Sequence, residues 1–388
     1  MTKIYKFMID IFNTLSLFCL IPIICGSIFS VITVFTTKYF LKHSLINEDF
    51  TPPVSILKPV RGLEKNLENN LRSVVRQQYP NYQVIYSVQE LDDPAYPILK
   101  KIQSELGKDF ISVVISTVEE GANGKVNNLL GAIDEAKHEF LIISDSDTCL
   151  QNDYISNIIA PFIKGEVGCV CTPFKITKAN NLFEKLEMLT INSDFMPSVI
   201  FAYVTGASNS CLGPSIAIHK STLNSFGGLK SLANYLVEDY EIGKRVWTSG
   251  KSMILLPYII DVVVDLKSWK TWWNHQVYWD QNTYLARPGA FVSTIFIRAI
   301  PFAIMFCLLK GSMISLFVLI ITILIRVSSA FIVAQEMKDS ESIKSLYLLP
   351  LRDLFGLIFW VLAFTQRTVM WRNNKYKLTR HGKMIKCN

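Results

Sequence analysis

The sequence predicts an α/β domain with a mainly parallel sheet, carried between transmembrane helices at both ends of the chain. Residues 11–37 contain no charged residue, and residues 291–309 and 312–335 are apolar runs that are each broken by one arginine. Between residues 52 and 267, short apolar runs alternate with longer amphipathic segments. Strands that alternate with helices are typical of a parallel sheet covered on both faces.

Length and composition agree with one α/β domain plus membrane segments. The chain has 388 residues, of which 50% are apolar and 18% charged, with a formal net charge of +7. Soluble proteins usually carry ~25% charged residues. The modest positive charge fits an anionic membrane surface or a phosphorylated substrate, and we expect no nucleic-acid partner. The eight cysteines include no CxxC pair, so we expect reduced thiols.

The first element, residues 1–45, is predicted to be a transmembrane anchor. A bilayer is spanned by ~20 apolar residues, and the charge-free run at residues 11–37 exceeds that length. The apolar part of a cleaved signal peptide is shorter, ~7–15 residues. We therefore expect a retained helix.

The central region, residues 50–265, is predicted to form the α/β domain. Strands are expected at residues 54–60, 83–89, 111–117, 139–144 and 167–174, with helices at 63–77, 94–106 and 123–136 and from about residue 152. Ligands of such sheets bind outside the carboxyl ends of the strands. The residues that directly follow each strand are therefore the first candidates for a site.

Two carboxylates follow the fourth predicted strand in the run "FLIISDSDTC" (140–149). In an extended chain Asp145 and Asp147 point to the same side. Converging carboxylates repel unless a proton or cation lies between them, and Mg²⁺ or Mn²⁺ is often shared between carboxylates and substrate phosphates. The pattern indicates a phosphate-handling site; the alternative is a solvated loop that caps the next helix.

Two further polar motifs precede predicted helices. In "GANGKVNNLL" (121–130), Lys125 and the first amides of a helix are candidates for binding an anion, although a lysine in such a place is more often a solvated charge. In "LVEDYEIG" (236–243), Asp239 lies in an acidic cluster. A carboxylate beside a reacting hydroxyl serves as a general base, and the alternative is a charged helix face.

Residues 266–290 are rich in tryptophan and are predicted to form an interfacial helix. They hold four of the seven tryptophans, namely Trp269, Trp272, Trp273 and Trp279. Tryptophan is enriched at membrane–water boundaries. A functional interpretation is that this helix also covers a site where a lipid meets a water-soluble donor.

The C-terminal region, residues 291–370, is predicted to contain membrane helices, followed by a basic tail at residues 371–388. Its last apolar stretch carries Arg352, Asp353 and Arg367, and it fits either a span or a helix lying in the interface. Charges at bilayer depth are costly, so we expect them to be paired or near the ends.

Several motifs in order resemble the ceramide glucosyltransferase family (family 21), with bacterial hopanoid-associated glycosyltransferases equally close. They are "VSILKPVRGLEKNLENNL", "VQELDDPA", "GKVNNL", "ISDSD", "TGASNSCLG", "VEDY", the Trp-rich segment and "WRNNKYKL". The resemblance covers about residues 50–380. It implies a GT-A nucleotide-sugar-binding domain, a UDP-sugar donor, a lipid hydroxyl acceptor and inversion at the anomeric carbon. Glucose is the family's usual sugar, with N-acetylglucosamine as the alternative. The acceptor is ceramide-like, diacylglycerol or a hopanoid.

The resemblance also assigns roles to residues. Asp92 would face the nucleotide, and Lys125 would lie near the donor. Asp145 and Asp147 would form a DxD motif for Mg²⁺ or Mn²⁺ and the diphosphate, and Asp239 would be the base.

The resemblance is imperfect at "HQVYW", where the family has (Q/R)xxRW. His275 begins the motif and Trp279 ends it, but Tyr278 replaces the arginine. Tyrosine has neither the positive charge nor the bidentate fork of arginine. One alternative is therefore a weakened or inactive member that binds lipid or UDP. Another is a processive polysaccharide synthase, which would need more membrane helices and an intact motif.

The predicted orientation contains a conflict. UDP-sugars are cytosolic, so the catalytic domain should face the cytosol, in a bacterial inner membrane if the bacterial resemblance holds. The basic tail favours the cytosol as well. Three full C-terminal crossings would place the tail outside instead, which weakens the interpretation of residues 347–370 as a simple span.

Overall fold

The computed structural model describes residues 2–43, 50–107, 109–208, 210–365, 368–371, 374–379 and 382–387. The strands are β1 (Val54–Pro59), β2 (Tyr82–Val88), β3 (Ile111–Ile115), β4 (Phe140–Ser144), β5 (Thr148–Cys149), β6 (Val167–Cys171), β7 (Phe174–Ile176), β8 (Ser215–His219), β9 (Ser252–Leu255), β10 (Ile260–Val262), β11 (Thr368–Trp371), β12 (Asn374–Leu378) and β13 (Met384–Lys386).

The α-helices are α1 (Thr2–Leu41), α2 (Leu67–Val75), α3 (Tyr96–Leu106), α4 (Gly124–Ile133), α5 (Tyr154–Ile159), α6 (Leu182–Thr190), α7 (Met196–Val204), α8 (Lys220–Ser225), α9 (Glu238–Thr248), α10 (Trp269–Ala286), α11 (Pro288–Ser293), α12 (Ala299–Lys310), α13 (Met313–Glu336), α14 (Ser340–Ser345) and α15 (Leu349–Thr365). Short 3₁₀ segments occur at Ala160–Lys164, Leu229–Leu232, Thr294–Ile297 and Leu346–Leu348, and a π-helix at Ile191–Phe195.

The chain forms two compact units. The sheet unit comprises Leu41–Lys178, Thr205–Asp265 and Arg367–Asn388. The membrane unit comprises Met1–Phe40, Ala179–Val204 and Leu266–Gln366.

The sheet unit is built on a seven-stranded sheet in the order β3-β2-β1-β4-β8-β6-β9. The first four strands of this order are parallel, and β8 pairs antiparallel with both β4 and β6. β1 and β6 are buried along their whole length, as expected for strands covered on both faces. The predicted mainly parallel sheet is confirmed, and each of the five predicted strands overlaps an observed one.

Helices cover the sheet because each presents an apolar face. In α2, Leu67, Leu71 and Val74 are buried at helical spacing, while Glu68 and Arg72 pair on the outer side. Burying a side chain such as Leu71 contributes about 1.5–3 kcal/mol. Replacing it with alanine would cost about 2–5 kcal/mol, because the lost apolar contacts are joined by a cavity.

The C-terminal sheet, which we define as β11, β12 and β13, occupies most of the region expected to be a basic tail. In β12, Tyr376 and Leu378 are buried and Lys377 is exposed, which is the alternation of a strand with one covered face. Backbone hydrogen bonds attach this sheet to residues 234–236 of the same unit. These residues therefore pack as part of the sheet unit.

The membrane unit contains three helices long and apolar enough to cross a bilayer: Asn13–Leu41, Met313–Glu336 and Ser340–Thr365. A fourth candidate is the pair Pro288–Ile297 and Ala299–Lys310, which bends by 48° at Arg298. Two contacts align α13 with α1, one near each end of α13. The Lys310 ammonium lies 2.8 Å from the side-chain oxygen of Asn13, and Lys38 lies 3.5 Å from Glu336.

The two described charges of the last apolar stretch, Arg352 and Asp353, are paired, as predicted. The Arg352 guanidinium contacts Asp194 at 2.6 Å and Asp353 at 2.9 Å, and Arg326 contacts Asp353 at 3.1 Å. Asp194 lies in the π-helix, a feature often found where a helix positions a particular side chain. Arg367, the third predicted charge, lies outside the described residues.

Candidate active site

The loop after β4 forms a turn at residues 145–148. The amide of Thr148 donates to the carbonyl of Asp145 at 3.3 Å, and the Thr148 hydroxyl donates to the same oxygen at 2.8 Å. The extended backbone expected for Asp145 and Asp147 is therefore wrong. The turn forms because the backbone carbonyls of this loop fold around a buried cation.

That cation is Lys58, whose side chain comes from β1 and is fully buried. Its ammonium donates to the carbonyl of Asp145 at 2.7 Å and to the hydroxyl and carbonyl of Thr148 at 2.9 and 3.3 Å. Burial lowers the pKa of Lys58 to about 8, while the charges of Asp147 and Asp145 oppose that shift. Lys58 thus fixes the turn that carries both carboxylates.

Lys125 joins two carboxylates of the sheet unit. Its ammonium lies 2.6 Å from Asp145 and 2.8 Å from Glu238. Burial opposes the charged form, but Asp145 and Glu238 outweigh burial and raise the pKa of Lys125. Lys125 is therefore a fixed positive charge between the end of β4 and the start of α9.

The first amides of α4 are already engaged. The side-chain oxygen of Asn123 accepts from the amides of Lys125 and Val126, and its amide group donates to Glu238 at 3.1 Å. The expectation that the first helix amides would meet an anion is therefore wrong for Lys125 and Val126, whose amides Asn123 caps.

Asp239 lies in the first turn of α9, beside Gly213. A Cβ atom added at Gly213 would lie 2.9 Å from the Asp239 carboxylate, so a larger residue there would require the carboxylate to shift. Burial and the neighbouring Glu238 raise the pKa of Asp239 to about 7, against the lowering effect of Lys125. A carboxylate with a pKa near neutrality can accept a proton during a reaction.

Asp147 has the electrostatic character of a cation ligand. Burial, Asp145 and Glu64 together raise its pKa to about 8. Its Oδ1 atom is buried, and it accepts no hydrogen bond from the part of the chain that the structure describes. A buried oxygen without a donor fits a metal ligand, because a bound cation would supply the missing partner.

The turn would supply only part of the ligand shell of Mg²⁺ or Mn²⁺. Within the described residues, no group of three or more His, Cys, Asp or Glu is arranged to hold a metal. Asp145 and Asp147 supply two carboxylates. Such ions commonly take one or two carboxylates and complete their shell with waters and substrate phosphates.

Asp92 lies in a different loop from this cluster. It is exposed in the turn after β2, whereas its neighbour Asp93 accepts from the backbone amide of Gly62 at 3.0 Å. Glu90 of the same turn lines a cavity of about 790 Å³ in the sheet unit. Among the described residues, ion pairs join Lys125 to Asp145 and to Glu238, and Asp92 takes no part in them.

The "HQVYW" motif belongs to α10 in the membrane unit. His275 lies 3.2 Å from the buried Glu187 of α6, and Gln276 donates a hydrogen bond to the same carboxylate. The Trp279 ring packs edge-to-face on Phe195, with ring centroids 5.3 Å apart. Glu187 therefore holds α10 against α6 through two residues of the motif. Tyr278 of the same motif is half-buried.

Sequence reasoning missed Lys58, Asn123 and Glu187. Each carried a signal. Lys58 is a charge within an otherwise apolar strand, Asn123 directly precedes a helix, and Glu187 interrupts the apolar face of α6. A charge on a fully buried strand must have partners, although the strand pattern does not say which residues they are.

Comparisons with known proteins agree with this architecture. The model of the family described as glycosyl transferase family 21 matches residues 18–384. Ceramide glucosyltransferase 3 of Caenorhabditis elegans is 21% identical over 398 residues, covering 98% of this chain and 84% of the relative. Ceramide glucosyltransferase 1 of the same organism is 25% identical over 221 residues, covering 57% and 47%.

A solved structure shows the same fold. It is a mannosyltransferase from Pyrobaculum calidifontis in complex with GDP-Man and Mn²⁺, with a TM-score of 0.55 and 14% identity. The match covers 90% of this chain and 98% of that one, and it establishes the GT-A fold. With a family match over nearly its whole length, this chain belongs to glycosyl transferase family 21 and is a hexosyltransferase.

Proposed function

We propose that this hexosyltransferase moves a sugar, glucose in the first instance, from a UDP-sugar to a lipid hydroxyl with inversion at the anomeric carbon. The observation that carries the proposal is the cluster of Asp145, Asp147 and Asp239 around Lys125 at the end of β4. The ceramide glucosyltransferases among its relatives support a ceramide-like acceptor. A hopanoid is the alternative acceptor.

The proposed base is Asp239. Its carboxylate takes the proton of the acceptor hydroxyl while that oxygen forms a bond to the anomeric carbon. The bond between that carbon and the diphosphate oxygen breaks, and its electron pair leaves with UDP. Attack from the face opposite UDP inverts the centre and requires no covalent intermediate. Gly213 leaves room for the carboxylate.

Asp145 and Asp147 are the proposed ligands of Mg²⁺ or Mn²⁺. When bound, the ion neutralises charge that develops on the diphosphate leaving group. Lys58 holds the turn that presents both carboxylates, and Lys125 holds Asp145 in place. Asp92 remains a proposed nucleotide contact, and His275, Tyr278 and Trp279 remain proposed residues of the acceptor-side motif.

We also propose a membrane topology. Lys310 beside Asn13 and Glu336 beside Lys38 place the two ends of α13 near opposite ends of the apolar part of α1. At 1.5 Å per residue, the stretch from Asn13 to Lys38 spans about 38 Å, more than the ~30 Å hydrocarbon core. The bent helix pair therefore crosses in one direction and α13 returns.

The C-terminal sheet belongs to the sheet unit, so the proposed topology has residues 265 and 368 on the same side of the bilayer. The number of crossings between them is then even, which the bent pair and α13 satisfy. Ser340–Thr365 would lie in the interface. With the sheet unit in the cytosol, the amino terminus is outside, and the conflict over the basic tail disappears.

Thiol labelling tests this topology. With native thiols blocked, Met313→Cys should react with an impermeant maleimide from the outer side and Lys344→Cys from the cytosolic side. Both side chains are exposed. Labelling of Met313→Cys from the cytosol would contradict the arrangement.

Tyr278 favours a second candidate function, a weakened or inactive family member that binds UDP or lipid. The test is to incubate membranes with UDP-glucose or UDP-N-acetylglucosamine and Mn²⁺, and to read lipid extracts by mass spectrometry. A new glycolipid from the wild type supports the transferase. Product only from Tyr278→Arg supports the second candidate, and no product from either, with an active relative as control, contradicts the transferase.

A further inference from the structure

A cavity of about 790 Å³ opens in the sheet unit. One wall is formed where strands end and a helix begins: Arg61 follows β1, Glu90 follows β2 and Gly124 starts α4. Ligands of parallel sheets bind at this edge, and small-molecule sites commonly measure ~300–1,000 Å³. Both position and size fit a bound nucleotide.

The opposite wall comes from the C-terminal sheet. Tyr376, Lys383 and Lys386 line the cavity there. Lys383 and Lys386 are exposed, so their ammonium groups are open to an anion entering from solvent. Lys377, between two buried residues of β12, does not line the cavity.

This wall is attached to the candidate active site through backbone hydrogen bonds. The amide of Leu236 donates to the carbonyl of Gly382 at 3.0 Å, and the amide of Met384 donates to Asn234 at 2.8 Å. The side chain of Asn234 accepts from the amide of Ala122 at 3.1 Å. The C-terminal sheet is thus joined both to the start of α4 and to the loop that leads into α9.

The cavity adjoins the proposed diphosphate site. Gly124 lines it, and the next residue, Lys125, contacts Asp145. Glu90 offers acceptors for the N–H and O–H groups of a base and ribose, whereas Lys383 and Lys386 offer positive charge for phosphate oxygens. The chemistry matches a nucleoside diphosphate.

We propose that the C-terminal sheet is the second wall of the donor pocket, with Lys383 and Lys386 as cationic contacts to the nucleoside diphosphate. This proposal rests on the proposed function, which supplies the donor. In this proposal the C-terminal sheet contributes directly to donor affinity. Its lysines supply positive charge in a chain that has Tyr278 where the family motif has arginine.

The test measures binding of UDP and of uridine, each with Mn²⁺, to the full-length protein in nanodiscs. The Lys383→Ala/Lys386→Ala variant should weaken UDP binding about tenfold, as expected for lost hydrogen bonds to a charged group, and leave uridine binding unchanged. Lys383→Arg/Lys386→Arg should retain UDP affinity. Lys377→Ala, on the same sheet, is the matched control and should bind both as the wild type does.

Two outcomes would overturn the proposal. UDP affinity within twofold of the wild type in the double alanine variant would show that the lysines do not contact the donor. Equal weakening of UDP and uridine would show a structural role only. Because Lys383 also lies 5.3 Å from the centre of the Tyr235 ring, Lys386→Ala alone is measured too, and it should lose UDP affinity selectively.

The two failures remain distinguishable. If wild-type membranes form no glycolipid, the proposed function has failed. If they form it and the double alanine variant keeps the wild-type KM for the donor, only the assignment of the C-terminal sheet has failed.

Discussion

Two groups of buried charges, one in each unit, differ in their balance. Among the described residues, the membrane unit pairs Arg326 and Arg352 with Asp194 and Asp353. At the end of β4, Lys58 and Lys125 face five carboxylates. These are Glu64, Asp145, Asp147, Glu238 and Asp239.

The pKa values show the consequence of this imbalance. Burial alone would raise the pKa of Asp194, but Arg352 and Arg326 outweigh it and hold that pKa at about 2. Burial and neighbouring carboxylates instead raise the pKa of Asp147 to about 8. The balanced cluster is complete as a structural element, whereas the acidic cluster is stabilised by an added proton or cation. Excess negative charge thus distinguishes the acidic cluster from the ion pairs that Arg326 and Arg352 form.

The largest expected effect is on catalysis at the acidic cluster. Asp239→Asn removes the proposed base and should lower kcat by about 10³-fold, the scale of general base catalysis. Glu241→Gln on the same helix is the control, because Glu241 pairs with Lys244 and Arg245. Turnover of purified protein is the measurement, and similar losses in both variants would contradict the role of Asp239.

Replacing a charge of the balanced cluster should lower the stability of the folded protein. Arg352→Gln removes one cationic partner from Asp194 and from Asp353. It should lower the free energy of unfolding by about 3–5 kcal/mol. Asp194→Asn/Arg352→Gln should recover part of that loss, because it restores the balance. Thermal unfolding in detergent measures both, and strictly additive losses would show that Asp194 and Arg352 are not energetically coupled.

The acidic cluster should also set the pH dependence of the reaction. Asp239 must be deprotonated to act as a base, and its pKa is raised to about 7. The value of kcat/KM should therefore rise with pH through about 7, falling about tenfold per pH unit well below it. A flat profile between pH 5.5 and 8.5, with chemistry limiting, would exclude Asp239 as the titrating base.

The smallest expected effect is on the pH dependence of stability at the acidic cluster. Because the pKa of Asp147 is raised in the folded state, the folded protein binds more protons than the unfolded one between about pH 4 and 8. Stability without metal should fall as pH rises through that window. Asp147→Asn should raise Tm at pH 8 by about 2–4 °C in EDTA. Added Mn²⁺ should stabilise the wild type more than the variant; a lower Tm for Asp147→Asn in EDTA would contradict this.

Much of the fold follows from local patterns. The strands β1, β2, β3, β4 and β6 appear as apolar runs, and their alternation with helices predicts the parallel sheet. The same patterns place Asp145 and Asp147 at the ligand-binding edge. The link from Lys125 to Asp145 and Glu238 required the fold, because these residues lie far apart in the sequence.

Other features depended on tertiary contacts that no local pattern shows. The turn at residues 145–148 forms because Lys58 binds its carbonyls, and a lysine in a strand does not by itself identify its partners. The C-terminal sheet was obscured by its many basic residues. The alternation of Tyr376, Lys377 and Leu378 was the available signal.

The central claim is that Asp145 and Asp147 hold a divalent ion used in sugar transfer. The most direct test is the rate of glycolipid formation against Mn²⁺ concentration after EDTA treatment, in the wild type and in Asp147→Asn. The account predicts that EDTA abolishes wild-type activity, that Mn²⁺ restores it, and that the variant responds only weakly. A full wild-type rate in EDTA, or an unchanged Mn²⁺ response in Asp147→Asn, would contradict it.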